Sequence, residues 1–548
     1  MNPTLSALPL LLLAVPASAQ TALLREGDFA PDQSGRFIVG LATTSVNHSG
    51  GFAATIAVTD NTSSQSQIWG NLTGGPGAVI REEGTFGSLV QNQIDGTFGI
   101  SSSTTVYTTF TNSIDDAVWV DDSLLAITGT TIPGSNETYT FIRAPRVTES
   151  GTPYFISSIG NSSTGGNGLF VGTTPATILR TGDMVPGLPV PLGSSGIDSD
   201  YQISAQGTHY IAPVDLDTGS FTNDEAMVID GAGLMIGGMP VQELNPVAVS
   251  AGGIGGETWD NFDFCGITEA GDYAITGNTD GPNNTDEFIV RNGVIWAREG
   301  DTLDGQILAG SIEGAYLNEA NRLAFIWDIE VGGVDIEALF LDDQLILAEG
   351  DEVDWDGNGQ PDPGVTLLDF TGTRSLSLSD DGDIYFTADV RVGTATLEGY
   401  FVVAEGPAGI NYCVANVNST GSAASISSSG SPSLTSNDLI LTSSNMPTFS
   451  FGFFITSQTQ GFVMNPGGSE GNLCVAGMIG RGVGGGAANT GASGSLTVNV
   501  DFTNLPQPNG AVSAMVGDTW NFQCWMRDAT PGGMATSNFS DGFSVTVQ

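Results

Sequence analysis

The sequence predicts an all-β chain: a β-propeller of about seven blades followed by a C-terminal β-sandwich (Ig-like) domain. Three observations predict it. Hydrophobic runs ending in a glycine turn recur along most of the chain. Helical periodicity is almost absent. Near residue 408 the repeat stops and the composition shifts to Ser, Gly and Thr.

The runs are "ALLREGD" (22–28), "AVIREEG" (78–84), "SLLAITG" (123–129), "TILRTGD" (177–183), "LMIGG" (234–238), "VIWAREGD" (294–301), "LILAEGD" (345–351) and "FVVAEG" (401–406). Their turn glycines are separated by 45 to 62 residues, the length of a four-stranded unit. A second element precedes most turns: a small-residue turn and then a strand, as in "SSTTVYTTF" (102–110), "SGTPYFISS" (150–158) and "DGDIYFTAD" (381–389). Radial closure of such units hides sheet edges that an extended β array would expose. The domains are read as a signal peptide over 1–19, repeats over 20–408 and the sandwich over 409–548.

The first segment, MNPTLSALPLLLLAVPASAQ, has an apolar core too short to span a bilayer. Ala17-Ser18-Ala19 is a small-x-small cleavage site, although the segment lacks the usual basic residue. No later run of about 20 apolar residues exists, so no transmembrane segment is expected. The expected location is extracellular or at the cell surface.

Composition excludes several functions. Acids outnumber bases 60 to 13, for a formal charge of -47, and every base is arginine. A P-loop or Schiff-base lysine is therefore impossible. Nucleic acid is not an expected partner, because phosphate binding needs clustered positive charge. An acidic surface does offer oxygen ligands to hard cations.

The sharpest cation candidate is "DWDGNGQPD". Asp354, Asp356, Asn358, Gln360 and Asp362 occupy positions 1, 3, 5, 7 and 9 of an EF-hand-like loop, with Gly359 at position 6. Alternating oxygen side chains can converge on one calcium ion, and position 7 offers its backbone carbonyl. Val365 replaces the acid expected at position 12, so Asp369 or Glu352 would have to serve. The competing reading is a solvated acidic turn between strands.

Other motifs read as structural. Arg25, Arg81, Arg180 and Arg298 share one repeat position, which argues for paired arginines holding turns. "GGSEG" around Ser469 matches a nucleophile pattern by chance in so glycine-rich a chain. His209 reads as a satisfied, partly buried histidine. The tryptophans, spread over the repeats, read as core, except Trp355, which is expected to be exposed in the acidic loop.

The four cysteines, Cys265, Cys413, Cys474 and Cys524, allow three pairings, and disulfides are permitted after export. No CxxC spacing supports zinc.

"RTGDMVPG" (180–187) and "REGDFAP" (25–31) resemble the "REGDxxPG" repeats of exported planctomycete-type proteins, a family without assigned function. "NYCVANVNSTGSAASISSSGS" (411–431), "LCVAGMIGR" (473–481) and "WNFQCWMRD" (520–528) resemble their C-terminal domain. The resemblance implies a propeller-like repeat region, a β-sandwich module and a Cys413–Cys474 bridge. It implies no enzymatic activity. Cys524 departs from it, standing where an aromatic is expected.

The expected function is a non-enzymatic, exported binding or structural protein with a calcium-stabilised loop. Its expected partner is an extracellular polysaccharide or cell-wall component. The alternative is a polysaccharide-active glycosidase or lyase using Asp and Glu on the propeller face.

Overall fold

The computed structural model describes residues 20–547, apart from 32–34, 87, 112–114, 162–164, 359, 372–374, 405–408, 430–431, 433, 435–436, 438, 516 and 531. The expected signal peptide, Gly359 and the turn at 405–406 lie outside these residues. Two compact units form, Met1–Ala404 and Glu405–Gln548. Among the described residues the regular elements are strands, with two single-turn 3-10 helices at Val249–Ala251 and Pro466–Gly468. None is a helix long and apolar enough to cross a membrane.

The first unit contains seven antiparallel sheets of four or five strands. Their innermost long strands in chain order are Phe37–Val46, Leu89–Ile100, Thr138–Val147, Leu192–Ile197, Trp259–Ile267, Gln306–Leu317 and Val365–Phe370. A two-stranded ribbon, Met235–Ile236 with Met239–Pro240, replaces the regular turn at "LMIGG".

The second strand of each sheet explains the packing. Pro153–Gly160 is nearly buried throughout. Side chains alternate between faces with period 2. Phe155 accordingly joins Val106 and Val118 of the preceding sheet, whereas Tyr154 and Ile156 join Leu192 and Ala212 of the following one. The same rule yields seven apolar clusters, one between each pair of consecutive sheets. The seventh lies between the last sheet and the first. There Phe52 stacks on Tyr385 with ring centroids 5.1 Å apart, and Leu41 packs with Tyr400.

The glycine turns stitch one sheet to the next. Gly27, Gly129, Gly182, Gly300 and Gly350 have φ between 83° and 91°, a region that a side chain disfavours. Their N–H groups donate to Ile38, Tyr139, Leu192, Leu308 and Leu367 in the following sheet, at 2.8–3.0 Å. The aspartate after the glycine turns back on its own strand. Asp183 and Asp301 accept from the N–H of Arg180 and Arg298, and Asp351 from that of Ala348, each at 2.9 Å. The repeat arginines all find acids: Arg25 with Asp28, Arg81 with Asp121, Arg180 with Glu137 and Arg298 with Glu257.

One element departs from the sequential reading. "ALLREGD" does not end a first unit. Gln20–Arg25 pairs with Ala395–Val403 and becomes the outer strand of the last sheet. The turn at Gly27 therefore follows the last sheet and leads into the first.

The second unit has a five-stranded sheet ordered Ile410–Tyr412, Ala535–Thr546, Thr519–Ala529, Phe451–Ser457, Gly480–Asn489. A three-stranded sheet, Ser425–Ser429, Ile440–Ser444 and Leu496–Asn499, shares one apolar core with it through Leu441, Phe454, Trp520 and Phe543. Cys413 and Cys474 are joined by a disulfide. Cys265 and Cys524 are buried free thiols.

Candidate functional site

The acidic loop connects the outer strand of the sixth sheet, Gln344–Ala348, to the inner strand of the seventh, Val365–Phe370. One oxygen from each of Asp354, Asp356 and Asp362 lies within 4.8 Å of the others. Oxygens bound to one calcium ion at 2.3–2.6 Å are at most about 5 Å apart, so this spacing suits a single hard cation. Asp354 is fully buried, Asp356 exposed and Asp362 between. Like charges that converge this closely repel unless something positive or hydrogen-bonding sits among them.

Part of that compensation comes from the loop itself. Asp354 Oδ1 accepts the N–H groups of Gly357 (2.8 Å) and Asn358 (3.0 Å). Asp362 Oδ2 accepts those of Trp355 and Asp356, both at 2.9 Å. Asn358 Oδ1 accepts the N–H of Gln360 (2.9 Å) and Asp356 Oδ1 that of Asn358 (3.0 Å), so all five expected ligand residues are linked to one another by hydrogen bonds. Glu352, one candidate for the missing acid, accepts the N–H of Gly364 (2.9 Å). Asp369, the other, lies on the inner strand opposite Asp389, beside Glu337.

The loop also grips the beginning of the chain. Ala22 N–H donates to the Asp354 carbonyl (3.0 Å), and Gln20 Nε2 donates to the Glu352 carbonyl (2.8 Å). The Arg25 guanidinium donates to the Trp355 carbonyl at 2.7 Å. Trp355 is partly buried rather than exposed. Its ring packs against Phe401 at 6.1 Å, because the loop folds back over the seventh sheet.

A second feature was not read from the sequence. The inner strands of five sheets, together with Asp200 and Gln202–Ile203 of the fourth and Leu376–Ser377 of the seventh, line a cavity of about 120 Å3. Thr44, Phe98, Arg146, Cys265, Tyr316 and Ser377 are among its walls. Asp200 is its lone carboxylate among the described residues. Tight turns after the inner strands surround one end. There His48 Nδ1 meets Asp380 Oδ2 at 2.9 Å. Burial opposes protonation of His48, but Asp380, Glu319 and Glu149 outweigh it and raise its pKa. These acids tie turn to turn. Glu319 accepts the N–H groups of Ala205 and Glu269, both at 2.6 Å, and Asp380 accepts that of Glu319 (3.0 Å).

A third set of acids lies in the first half of the third strand of successive sheets. Glu225, Glu337 and Glu398 accept backbone N–H groups of the next sheet from Phe262 (3.1 Å), Phe370 (2.9 Å) and Leu41 (2.7 Å). Asn167 does the same with Ile197 (3.0 Å). Burial pushes Glu225 and Glu337 up to about 8, and Glu287 at the equivalent position also to about 8. In the sequence these glutamates look like ordinary polar strand residues. A repeat-by-repeat alignment of third strands is the signal that finds them.

The remaining candidates are structural. His209 Nδ1 meets Asp230 Oδ2 at 2.6 Å. Ser469 is buried, and its hydroxyl donates to the Ser537 carbonyl (2.8 Å). Both histidines belong to the other unit.

No protein-family model and no curated protein matches the sequence. Solved structures similar to the chain include a subtype N11 neuraminidase-like protein of A/flat-faced bat/Peru/033/2010 (H18N11). Identity is 7%, with 70% of this chain and 96% of that one covered and a TM-score of 0.26. Another is an exo-beta-1,3-galactanase from Phanerochaete chrysosporium, at 9% identity, 72% and 93% coverage and a TM-score of 0.21. Scores this low carry no argument about function.

Proposed function

We propose that the chain is an exported, non-enzymatic binding protein of the cell surface or extracellular space. It is built as a closed seven-bladed β-propeller and a C-terminal β-sandwich, with calcium bound at Asp354, Asp356 and Asp362. The ring reading rests on the cycle of seven apolar clusters that returns from the last sheet to the first. The sandwich reading rests on the core shared by the five- and three-stranded sheets. Export is supported by the Cys413–Cys474 bridge, since such bonds persist in oxidising compartments.

The observation that favours a non-catalytic reading over a glycosidase or lyase is the central cavity. Its volume of about 120 Å3 is below the 300–1,000 Å3 of ligand clefts. It presents Asp200 without a second carboxylate, whereas glycosidic cleavage uses two, roughly 5–10 Å apart. A screen of the mature protein against cell-wall preparations and polysaccharides tests the reading. Retention on at least one polymer, without release of reducing ends or unsaturated products, is expected. Release of sugar products would establish the enzyme instead.

Calcium would sit between the last blade and the first strand of the mature chain, because the same loop binds Gln20, Ala22 and Arg25. Calcium at 100 times its dissociation constant stabilises by about 2.7 kcal/mol. A chelator is therefore expected to lower the melting temperature of the repeat unit by several degrees. Asp354→Ala with Asp356→Ala should abolish the response. An identical melting curve with and without chelator would remove calcium from the account.

A further inference from the structure

The C-terminal unit carries a groove that none of the preceding features uses. Its volume is about 690 Å3, within the range of ligand clefts. The floor is one face of the five-stranded sheet. Alternation along Thr519–Ala529 turns Cys524 and Met526 into the core and leaves Trp525 and Arg527 on the groove side. Trp525 is braced by its cross-strand neighbour Phe453, with ring centroids 5.0 Å apart. Arg527 lies opposite Ser537 in the register.

Phe449 forms a wall of the groove. It is 70% exposed, so its ring buries little. Its φ is 53°, a left-handed conformation that is costly for a bulky side chain and that clusters at functional sites. Two hydrogen bonds hold it there. Phe449 N–H donates to the Gly491 carbonyl (2.8 Å), and Asn489 Nδ2 donates to the Phe449 carbonyl (3.2 Å).

Charge is the second observation. The unit has seven acids and two arginines, Arg481 and Arg527. The Arg527 guanidinium is exposed and has no partner among the described residues. Its neighbour Asp528 also lines the groove, with its carboxylate held by donors other than Arg527. Asp528 accepts from the N–H groups of Ser419 (3.0 Å) and Ala529 (2.8 Å) and from Asn538 Nδ2 (3.1 Å). The groove thus combines aromatic faces with one unmatched planar cation.

We propose that this groove binds a uronic-acid-containing glycan, with sugar faces against Trp525 and Phe449 and a sugar carboxylate on Arg527. A pyranose ring offers an apolar C–H face that suits an aromatic side chain. A carboxylate matches the fork of the guanidinium in two parallel hydrogen bonds. The Ser450 and Thr536 hydroxyls already donate to the carbonyls of Arg527 and Gly468, and each keeps acceptor capacity for a sugar hydroxyl. A neutral sugar would leave the cation unmatched. This assignment rests on the binding reading above and names its ligand class.

The test uses the whole mature chain and calorimetric titration with trimers of galacturonate, glucuronate and guluronate, and with their methyl esters. Roughly 0.5 M salt shortens the Debye length to about 4 Å, so the net charge of -47 does not mask the contact. At least one acid trimer is expected to bind, and its uncharged ester at least about tenfold more weakly. Arg527→Gln should lose the same factor, and Arg527→Lys should recover part of it. Phe449→Ala, at an exposed position that leaves the fold intact, should weaken both acid and ester. Equal binding of acid and ester, binding unchanged in Arg527→Gln, or no binding of any trimer would each overturn the proposal. If the polymer screen succeeds and Arg527→Gln and Phe449→Ala leave it unchanged, the groove assignment falls while the binding reading stands.

Discussion

Leu24→Ala is expected to destabilise the repeat unit by about 2–5 kcal/mol, the usual cost of emptying a core leucine site. Leu24 is 6% exposed and packs with Ile38, Leu41 and Tyr400. A leucine on the exposed face of an outer strand tolerates such a change. Leu124, on the outer strand of the second sheet, is 39% exposed, and Leu124→Ala should cost no more than about 0.5 kcal/mol. The difference arises from the face each leucine occupies: like Ala126, Leu179 and Leu347, Leu24 stands three residues before a turn glycine and is buried, and its strand Gln20–Arg25 also pairs with Ala395–Val403. Its apolar side closes the contact between the last sheet and the first. Denaturant melts of the two variants decide the matter. Similar small losses in both would mean that the strand merely decorates the ring.

Raising the pH from 5 to 8.5 is expected to destabilise the repeat unit more than any surface substitution. Glu225, Glu287 and Glu337 are pushed up to about 8 by burial and Glu299 to about 7, from an ordinary value of 4.5. The native state therefore holds protons that the unfolded chain releases. Their contribution is intact below about pH 4.5 and is lost as the pH climbs through 7 to 8. Each fully coupled group costs about 1.4 kcal/mol per pH unit in that window, and partial exposure reduces this. His48 works in the same direction, since its raised pKa favours the protonated native form. Thermal melts across this range should show a falling midpoint, flattened in a Glu225→Gln, Glu287→Gln, Glu337→Gln variant. A midpoint that rises or stays level between pH 5 and 8.5 would refute the account.

Much of the architecture was legible because the turns have local chemistry. Gly300 and Asp301 announce a positive-φ turn and its side-chain bond within three residues, and the turns at Gly182 and Gly350 repeat the message. The closing strand was not legible. Nothing in "ALLREGD" distinguishes an outer strand of the last sheet from the end of a first one, since its partners lie about 375 residues away. Of the five oxygen-bearing residues singled out in the acidic loop, Asp354, Asp356 and Asp362 bring carboxylate oxygens together, as alternate residues of a tight loop can. Its Trp355 was misread, because burial there comes from Phe401, distant in sequence. The connector glutamates were missed for the same reason. Glu398 looks solvated until Leu41, from the other end of the unit, arrives to donate its N–H.

The closing strand also sets a timetable for making the protein. Gln20–Arg25 leaves the ribosome first, and its partner strand ends at Val403. At synthesis rates of about 5–20 residues per second, the interval is roughly 20–80 s. Throughout that time the strand is an unpaired edge, open to pairing with another nascent chain. Final closure must also overcome the entropy of one loop that spans nearly the whole unit. A chain exported before folding would meet both conditions on the far side of the membrane. The contact between the last sheet and the first is therefore among the latest to form, and a truncation before Ala395 leaves Gln20–Arg25 without its partner strand.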